Sequence, residues 1–320
     1  EAMDLVISID AYWNGVSRRA DVVLPEATTL EKDTLGTGNW SAYPNHTWVT
    51  GGKAAVDAQW ETRSDWEILT GIAEKMAQET DNEDWSIFDQ WDSHEAFIDD
   101  QLGNCGTTLE DLSTGEKNYC LVDEYGYEKW KNGNFTFNFD LDGVPPFASA
   151  AEETGMDTAP EWIPPGEYGD SLSEEYPLEF TDTRSVFFSH GSNQPHQRLQ
   201  DHYAKRNGLS TDDYRGNYLH MNPQDADARG IENGDMVSVE SADGEGTLMA
   251  HVTERVQPGF VTAEYGFGST SSITSTEDGK GGSEEADGMN TMMLHTDQME
   301  PITGQVDRHL AVEVSPAGGE

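Results

Sequence analysis

The densest polar cluster in the chain is Ser189-His190-Gly191-Ser192-Asn193-Gln194-Pro195-His196-Gln197-Arg198. Two histidines six positions apart could begin a metal site, but a flanking carboxylate or third histidine at ligand spacing is missing. Cys105 and Cys120 stand fifteen positions apart and complete neither a zinc set nor a four-cysteine iron–sulfur set. They read as two unrelated buried thiols, with a disulfide as the alternative. No metal ligand and no catalytic residue is assigned. Ligand holding is the chemistry that remains. Asp10 ends the apolar run Leu5-Val6-Ile7-Ser8-Ile9, at the carboxyl end of a parallel strand, where open α/β sheets bind ligands; a helix-capping role is equally open. Gly266-Phe267-Gly268 starts a loop to Gly288-Met289-Asn290 that holds six glycines. Such a loop lets backbone approach a ligand closely, although a flexible surface loop has the same composition.

These residues need elements to position them. The run at 5–9 suits a parallel strand buried on both faces, and Asp21-Val22-Val23-Leu24-Pro25 supplies a second after a gap long enough for one short helix. Together they look like the late part of an open α/β sheet, so the chain reads as a fragment. Ser64 and Glu67 have capping-box spacing, and Ile68, Leu69, Ile72, Ala73 and Met76 make an apolar stripe on a helix over 64–77, expected to be core. The long stretch 28–62 is unusual for a connector. Residues 81–183 are the least regular, a connecting region with short helices and two Pro-Pro pairs, its linker at 148–176.

From 184 onward the texture is all-β. Ser185-Val186-Phe187-Phe188-Ser189 is a strand candidate. Tyr218–Met221 leads into Asn222-Pro223, a helix N-cap with proline at the first helical position, and Gly230 closes that helix. Asn233-Gly234 and Asp243-Gly244 are turns around Met236–Val239, followed by strands at Thr247–Val252 and Phe260–Ala263. Short strands at this spacing suggest a small barrel.

Composition bounds the partners. The 320 residues carry 61 Asp+Glu against 18 Lys+Arg, a net charge of -43. Nucleic-acid binding needs a basic footprint and is excluded. Mean hydropathy is -0.69, and no run of apolar residues is long enough to span a membrane. High charge with low hydropathy is also the signature of disorder, but 9 Trp, 11 Tyr and 11 Phe and the strand patterns oppose it. A folded protein with a hydrated acidic surface, suited to the concentrated salt of a halophile, fits best.

Three segments, in order, carry a resemblance. Residues 222–239, from Asn222-Pro223-Gln224-Asp225-Ala226 to Asn233-Gly234-Asp235-Met236-Val237-Ser238-Val239, resemble the C-terminal signature of molybdopterin-dependent oxidoreductases, the DMSO reductase family. The continuation Val252-Thr253-Glu254-Arg255-Val256-Gln257-Pro258-Gly259 agrees. Ala20-Asp21-Val22-Val23-Leu24-Pro25 with Leu30-Glu31-Lys32-Asp33, and Arg63-Ser64-Asp65-Trp66-Glu67-Ile68, are similar to that family's third domain.

The resemblance implies a fold of α/β plus β. Residues 1–80 would be the end of a Rossmann-like domain, and 184–320 a double-psi β-barrel that binds molybdopterin dinucleotide. It implies molybdenum (or tungsten) held by two molybdopterin guanine dinucleotides, with a 4Fe-4S cluster in a preceding, missing part of the catalytic subunit. It places Asp10 and Asp33 toward guanine and His190, Ser192, His196 and Gln197 around one pterin, with Asn290 touching the pterin; a solvated loop at 189–198 and a plain turn at Asn290 are the alternatives. The family's usual Thr-Gly-Arg or Ser-Pro-His is Ser-His-Gly here. The few arginines, Arg198 and Arg255 among them, are expected to turn inward and the acids outward.

The implied activity is a respiratory two-electron reductase transferring an oxygen atom from a small acceptor, with DMSO or TMAO the first choice. Thiosulfate, tetrathionate, polysulfide, arsenate or nitrate reduction, a formate dehydrogenase and a separate non-catalytic cofactor-binding subunit are the alternatives. An iron–sulfur electron-transfer subunit and a membrane anchor are the expected partners. Twin-arginine export to the outer face of the membrane is the expected location, with the cytoplasm as the other.

Overall fold

The computed structural model describes residues 3–37, 47–80, 82–103, 106–116, 120–123, 147–154, 159, 172–188, 196–208, 214, 216–268, 288–295, 306 and 308–318. These fall into two compact units, one of residues 1–11 and 20–137, the other of residues 12–19 and 138–320.

In the first unit β1 (Ile7–Asp10) and β2 (Val22–Pro25) pair in parallel, Ile7 opposite Val22 and Asp10 opposite Pro25. The parallel pairing is as expected, but burial on both faces is not observed. Ile7 is 43% and Val22 41% exposed, because the sheet holds two strands and gains no covering layer on each face among the described residues. Nor is there a helix in the gap. The Asn14 side chain accepts from the backbone N–H groups of Val16 and Ser17, each at 2.9 Å, and such a side-chain turn competes with helix.

The stretch 28–62 builds an antiparallel pair, β3 (Thr34–Thr37) and β4 (Thr47–Gly52), which β5 (Cys120–Asp123) extends to three strands. Two short helices, α2 (His94–Leu102) and α3 (Leu109–Thr114), supply Ile98, Leu102, Leu109 and Leu112 to a core with Val49. A Cβ at Gly51 would lie 2.9 Å from Leu109 Cδ1, so glycine there is what lets α3 approach the sheet. Helices α2 and α3 therefore belong to this unit's core, and β5 to its sheet.

Helix α1 (Asp65–Thr80) has the expected capping box: the Ser64 N–H donates to Glu67 Oε2 at 2.9 Å and the Glu67 N–H to Ser64 Oγ at 3.2 Å. Its stripe is only partly core. Ile68 and Ala73 are buried, Leu69 is 48% exposed, and Ile72 and Met76 line an open groove with Leu24 and Trp60. Trp66 packs on Phe88, Trp91, His94 and Phe97 instead. Burial in that cluster holds the His94 imidazole below its ordinary pKa.

The second unit is built on a closed six-stranded barrel in the order β10-β6-β11-β8-β9-β7. Its strands are β6 (Leu178–Thr183), β7 (Tyr218–Met221), β8 (Met236–Glu240), β9 (Glu245–Val252), β10 (Phe260–Glu264) and β11 (His309–Pro316). The pairs β6–β10 and β7–β9 are parallel and the others antiparallel. Alternate residues point inward, so Phe180, Leu219, Met221, Val237, Val239, Leu248, Val261, Leu310, Val312 and Val314 form one buried core. Helix α6 (Pro223–Arg229) runs as read: Asn222 caps it through Gln224 N–H, proline occupies its first turn, and Gly230 ends it at φ 68°.

The barrel begins before residue 184, since its first strand is Leu178–Thr183. The strand expected at 185–189 is absent from the described part of that run. Val186 is 78% exposed, the Phe187 N–H bonds the Ser185 hydroxyl in a tight turn, and Phe188 enters an aromatic cluster with Tyr203, Tyr214, Tyr218 and Phe267. The linker expected at 148–176 instead opens with helix α4 (Phe147–Thr154), and much of its remainder lies outside the described residues, as does Cys105.

Candidate functional site

A cleft of about 440 Å³ opens on the barrel unit between the β8–β9 hairpin and the segments 266–268 and 288–293. The hairpin contributes Ser238, opposite Thr247 in register, and Glu245. The other wall is Gly268, Gly288 and Asn290. Asn290 precedes a 3-10 turn, Thr291–Leu294, and its Oδ1 accepts the Met292 N–H at 3.1 Å. The turn role foreseen for Asn290 is observed, and capping uses its carbonyl oxygen and not its amide N–H₂.

What holds this wall is Asn217, fully buried just before β7. Its Nδ2 donates to Glu264 O at 2.7 Å and Met289 O at 3.0 Å, and its Oδ1 accepts the Met289 N–H at 2.9 Å. Tyr214 steadies it, donating from its hydroxyl to Asn217 O at 2.6 Å. The two glycines have positive φ, 83° at Gly268 and 85° at Gly288. A Cβ on Gly268 would lie 2.6 Å from Asn290 N, so the two loop segments touch backbone to backbone. Asn217 has no motif around it. The Gly216-Asn217 pair ahead of a strand is the local sign that could mark a constrained turn there.

Of the other predicted residues, His190 and Ser192 lie outside the described residues. His196 is exposed at the N-cap position of α5 (Gln197–Arg206), with no side-chain capping bond, and Gln197 is its first residue. Asp10 sits half-buried at the carboxyl end of β1 as read, and no helix follows it to cap. Asp33 binds its own fold: its Oδ1 accepts the Ala54 N–H at 2.9 Å, tying the end of the β3–β4 pair. Asp10 and Asp33 belong to the first unit, His196 and Asn290 to the second. Among the described residues of the set, Asn290 is the one that lines this cleft.

The inward turn of Arg198 and Arg255 is not observed; both are exposed. Arg229 instead fastens α6 to β11 through a two-pronged bond to Glu313, at 2.9 and 3.1 Å. Among the described residues the acid that does go inward is Asp182, 8% exposed, with Arg308 3.4 Å away. Burial raises its carboxyl above the usual carboxylate range, against the pull of Arg308 and His295. Among the described residues no group of three His, Cys, Asp or Glu could hold a metal ion, and no helix is long and apolar enough to cross a membrane.

The donor set suits a nucleotide-like group. The Glu245 carboxylate can accept from ring N–H groups, the Asn290 amide can meet a heterocycle edge, and the glycine backbone can approach phosphate.

Two family models match the chain: molybdopterin oxidoreductase over residues 1–75 and molydopterin dinucleotide binding domain over residues 190–311. The trimethylamine-N-oxide reductase of Haemophilus influenzae is 26% identical over 284 residues, 82% of this chain and 32% of that protein. The dimethyl sulfoxide/trimethylamine N-oxide reductase of Cereibacter sphaeroides is 26% identical over 278 residues, with 82% and 32% covered. Acetylene hydratase from Pelobacter acetylenicus has a similar fold, with a TM-score of 0.66 at 15% identity over 98% of this chain and 41% of that one. The chain spans about a third of the length of the curated relatives it matches.

Proposed function

Because the chain belongs to the molybdopterin oxidoreductases of the DMSO reductase family, we propose that it is the cofactor-holding part of a reductase for small S- or N-oxides such as DMSO and TMAO. The observation that carries the reading is the succession of the two family matches along one chain, the second falling on a closed barrel with a polar cleft. The finer fold assignments, a Rossmann-like first unit and a double-psi barrel, accord with the parallel β1–β2 pair and the two parallel pairs of the barrel.

In this reading molybdenum or tungsten with two molybdopterin guanine dinucleotides supplies two-electron, oxygen-atom transfer when bound. The chain's own residues bind and orient. Asn290 donates to the pterin edge, the backbone at Gly268 and Gly288 lies against the ligand, and Asn217 keeps that backbone in place. His190, Ser192, His196 and Gln197 supply further polar contacts, and Asp10 accepts from guanine. Asp33 is weakened as a guanine contact by its bond to Ala54. An iron–sulfur electron-transfer subunit with a membrane anchor, a 4Fe-4S cluster in the whole enzyme and export to the outer face complete the proposal.

Oxidation of a reduced viologen dye by the enzyme, with DMSO, TMAO, tetrathionate, nitrate and arsenate as acceptors and formate as donor, tests it. S- or N-oxide turnover should exceed that with nitrate or arsenate by about tenfold or more. Activity with formate alone would overturn the reductase assignment.

A further inference from the structure

Away from the cleft, the barrel unit has a second pocket, of about 160 Å³, whose charge runs against that of the whole chain. Arg184, Arg206 and Arg255 all line it, three of only 18 Lys and Arg in a protein of net charge -43. They come from separate places: Arg184 follows β6, Arg206 ends α5 and Arg255 follows β9. Among the described residues none of the three is in an ion pair. All three are exposed, so they line the pocket's solvent-facing side, and three cations gathered there against the single carboxylate of Glu264 favour an added anion.

The pocket's carboxylate is already engaged. Glu264 on β10 accepts from the Tyr203 hydroxyl at 2.5 Å and lies 3.4 Å from His220 Nε2. His220 Nδ1 in turn stands 2.9 Å from His251 Nδ1 across the β7–β9 pair. Glu264, Tyr203 and the two histidines thus satisfy one another and leave the arginines' donors free for another acceptor. Two features prepare the site. The Arg206 guanidinium is held over the Phe187 ring, 5.8 Å from its centre. Beside it the Asn207 Nδ2 is buried in the pocket wall, with no hydrogen-bond partner among the described residues. A buried N–H donor costs about 1–3 kcal/mol when left unpaired, so it marks where an acceptor belongs. With a water occupying about 30 Å³ of liquid, the space takes one tetrahedral oxyanion and a few waters.

We propose that this pocket binds a tetrahedral oxyanion of the phosphate and sulfate class, either free or as the phosphate of a nucleotide, on Arg184, Arg206, Arg255 and Asn207. The site goes beyond the reductase reading and does not depend on it.

Calorimetric titration of the purified protein with inorganic phosphate, sulfate and guanosine monophosphate, at ionic strength fixed with potassium chloride, tests it. Saturable binding is expected, weakened about tenfold or more in Arg206→Gln and again in Arg206→Gln/Arg255→Gln, and unchanged in Arg198→Gln. Guanosine monophosphate binding about tenfold or more tighter than phosphate assigns the site to a nucleotide, and equal affinities assign it to the free oxyanion. Thermal stabilisation of the unaltered protein by phosphate beyond that by equivalent chloride is a second readout that needs no variant. Absence of saturable binding by all three probes, or binding that the double variant leaves unchanged, overturns the proposal.

Discussion

Asn217→Ala should destabilise the barrel unit by about 3–5 kcal/mol, a large part of the stability of an ordinary domain. The side chain is completely buried and joins segments 47 and 72 residues away in sequence, Glu264 and Met289. Truncation removes the partner of three backbone groups, the carbonyls of Glu264 and Met289 and the Met289 N–H, at a buried position. Asn217→Asp keeps the acceptor for the Met289 N–H but loses both donors and sets a carboxylate against two carbonyl oxygens, so it should fall no closer to the unaltered protein. Denaturant unfolding followed by tryptophan fluorescence and circular dichroism measures both. A loss under about 1 kcal/mol in the alanine variant would show that the 288–290 segment is held by something else.

Gly268→Ala should leave the barrel folded yet lower retention of the dinucleotide cofactor by about tenfold or more. The residue sits at φ 83°, where an L side chain costs about 1–2 kcal/mol. Its new Cβ would lie 2.6 Å from Asn290 N and 2.9 Å from Met289 C. Backbone cannot yield as a flexible side chain does, so the wall carrying Asn290 must move, and an ångström of displacement spoils a directional hydrogen bond. Gly234→Ala is the comparison: it has similar strain, at φ 95°, but nothing lies within 4 Å of its Cβ. Cofactor content per protein, measured after purification, should drop in the first variant and hold in the second. Equal content in both would separate the 268–290 wall from cofactor binding.

Legibility in the sequence followed the range of the interactions. Helix α6 was readable because Asn222, Pro223 and Gly230 act within one turn of chain, and β8 because its alternation and the Asn233-Gly234 turn are local. The capping box at Ser64 and Glu67 is local too. The first barrel strand was missed because Glu179 and Asp182 dilute its pattern, whereas the more apolar Val186-Phe187-Phe188 looks like strand but packs as an aromatic loop against Tyr203. Burial of β1 depends on layers that four residues cannot announce. Asn290 was singled out by resemblance alone, and it lines the cleft. Asn217 was not, since its role rests on partners far along the chain. The arginine pocket draws on segments that are distant in sequence, and no spacing signals it.

The acidity takes a sharper meaning from these placements. The acids do not exclude an anionic ligand, since the barrel concentrates arginine at one pocket and offers backbone and amide donors at its cleft. Nor is the segregation complete: among the described residues Asp182 is buried, while Arg198 is exposed and the pocket arginines, Arg255 included, stand on its open side.

The central claim is that this chain holds a molybdopterin dinucleotide. The most direct measurement is the purified protein's content of molybdenum or tungsten by mass spectrometry, together with the guanine nucleotide released by acid. The account predicts metal with about two guanine nucleotides per metal ion, both lowered together in Gly268→Ala. A folded protein isolated from cells that make the cofactor, carrying neither metal nor guanine nucleotide, would contradict it.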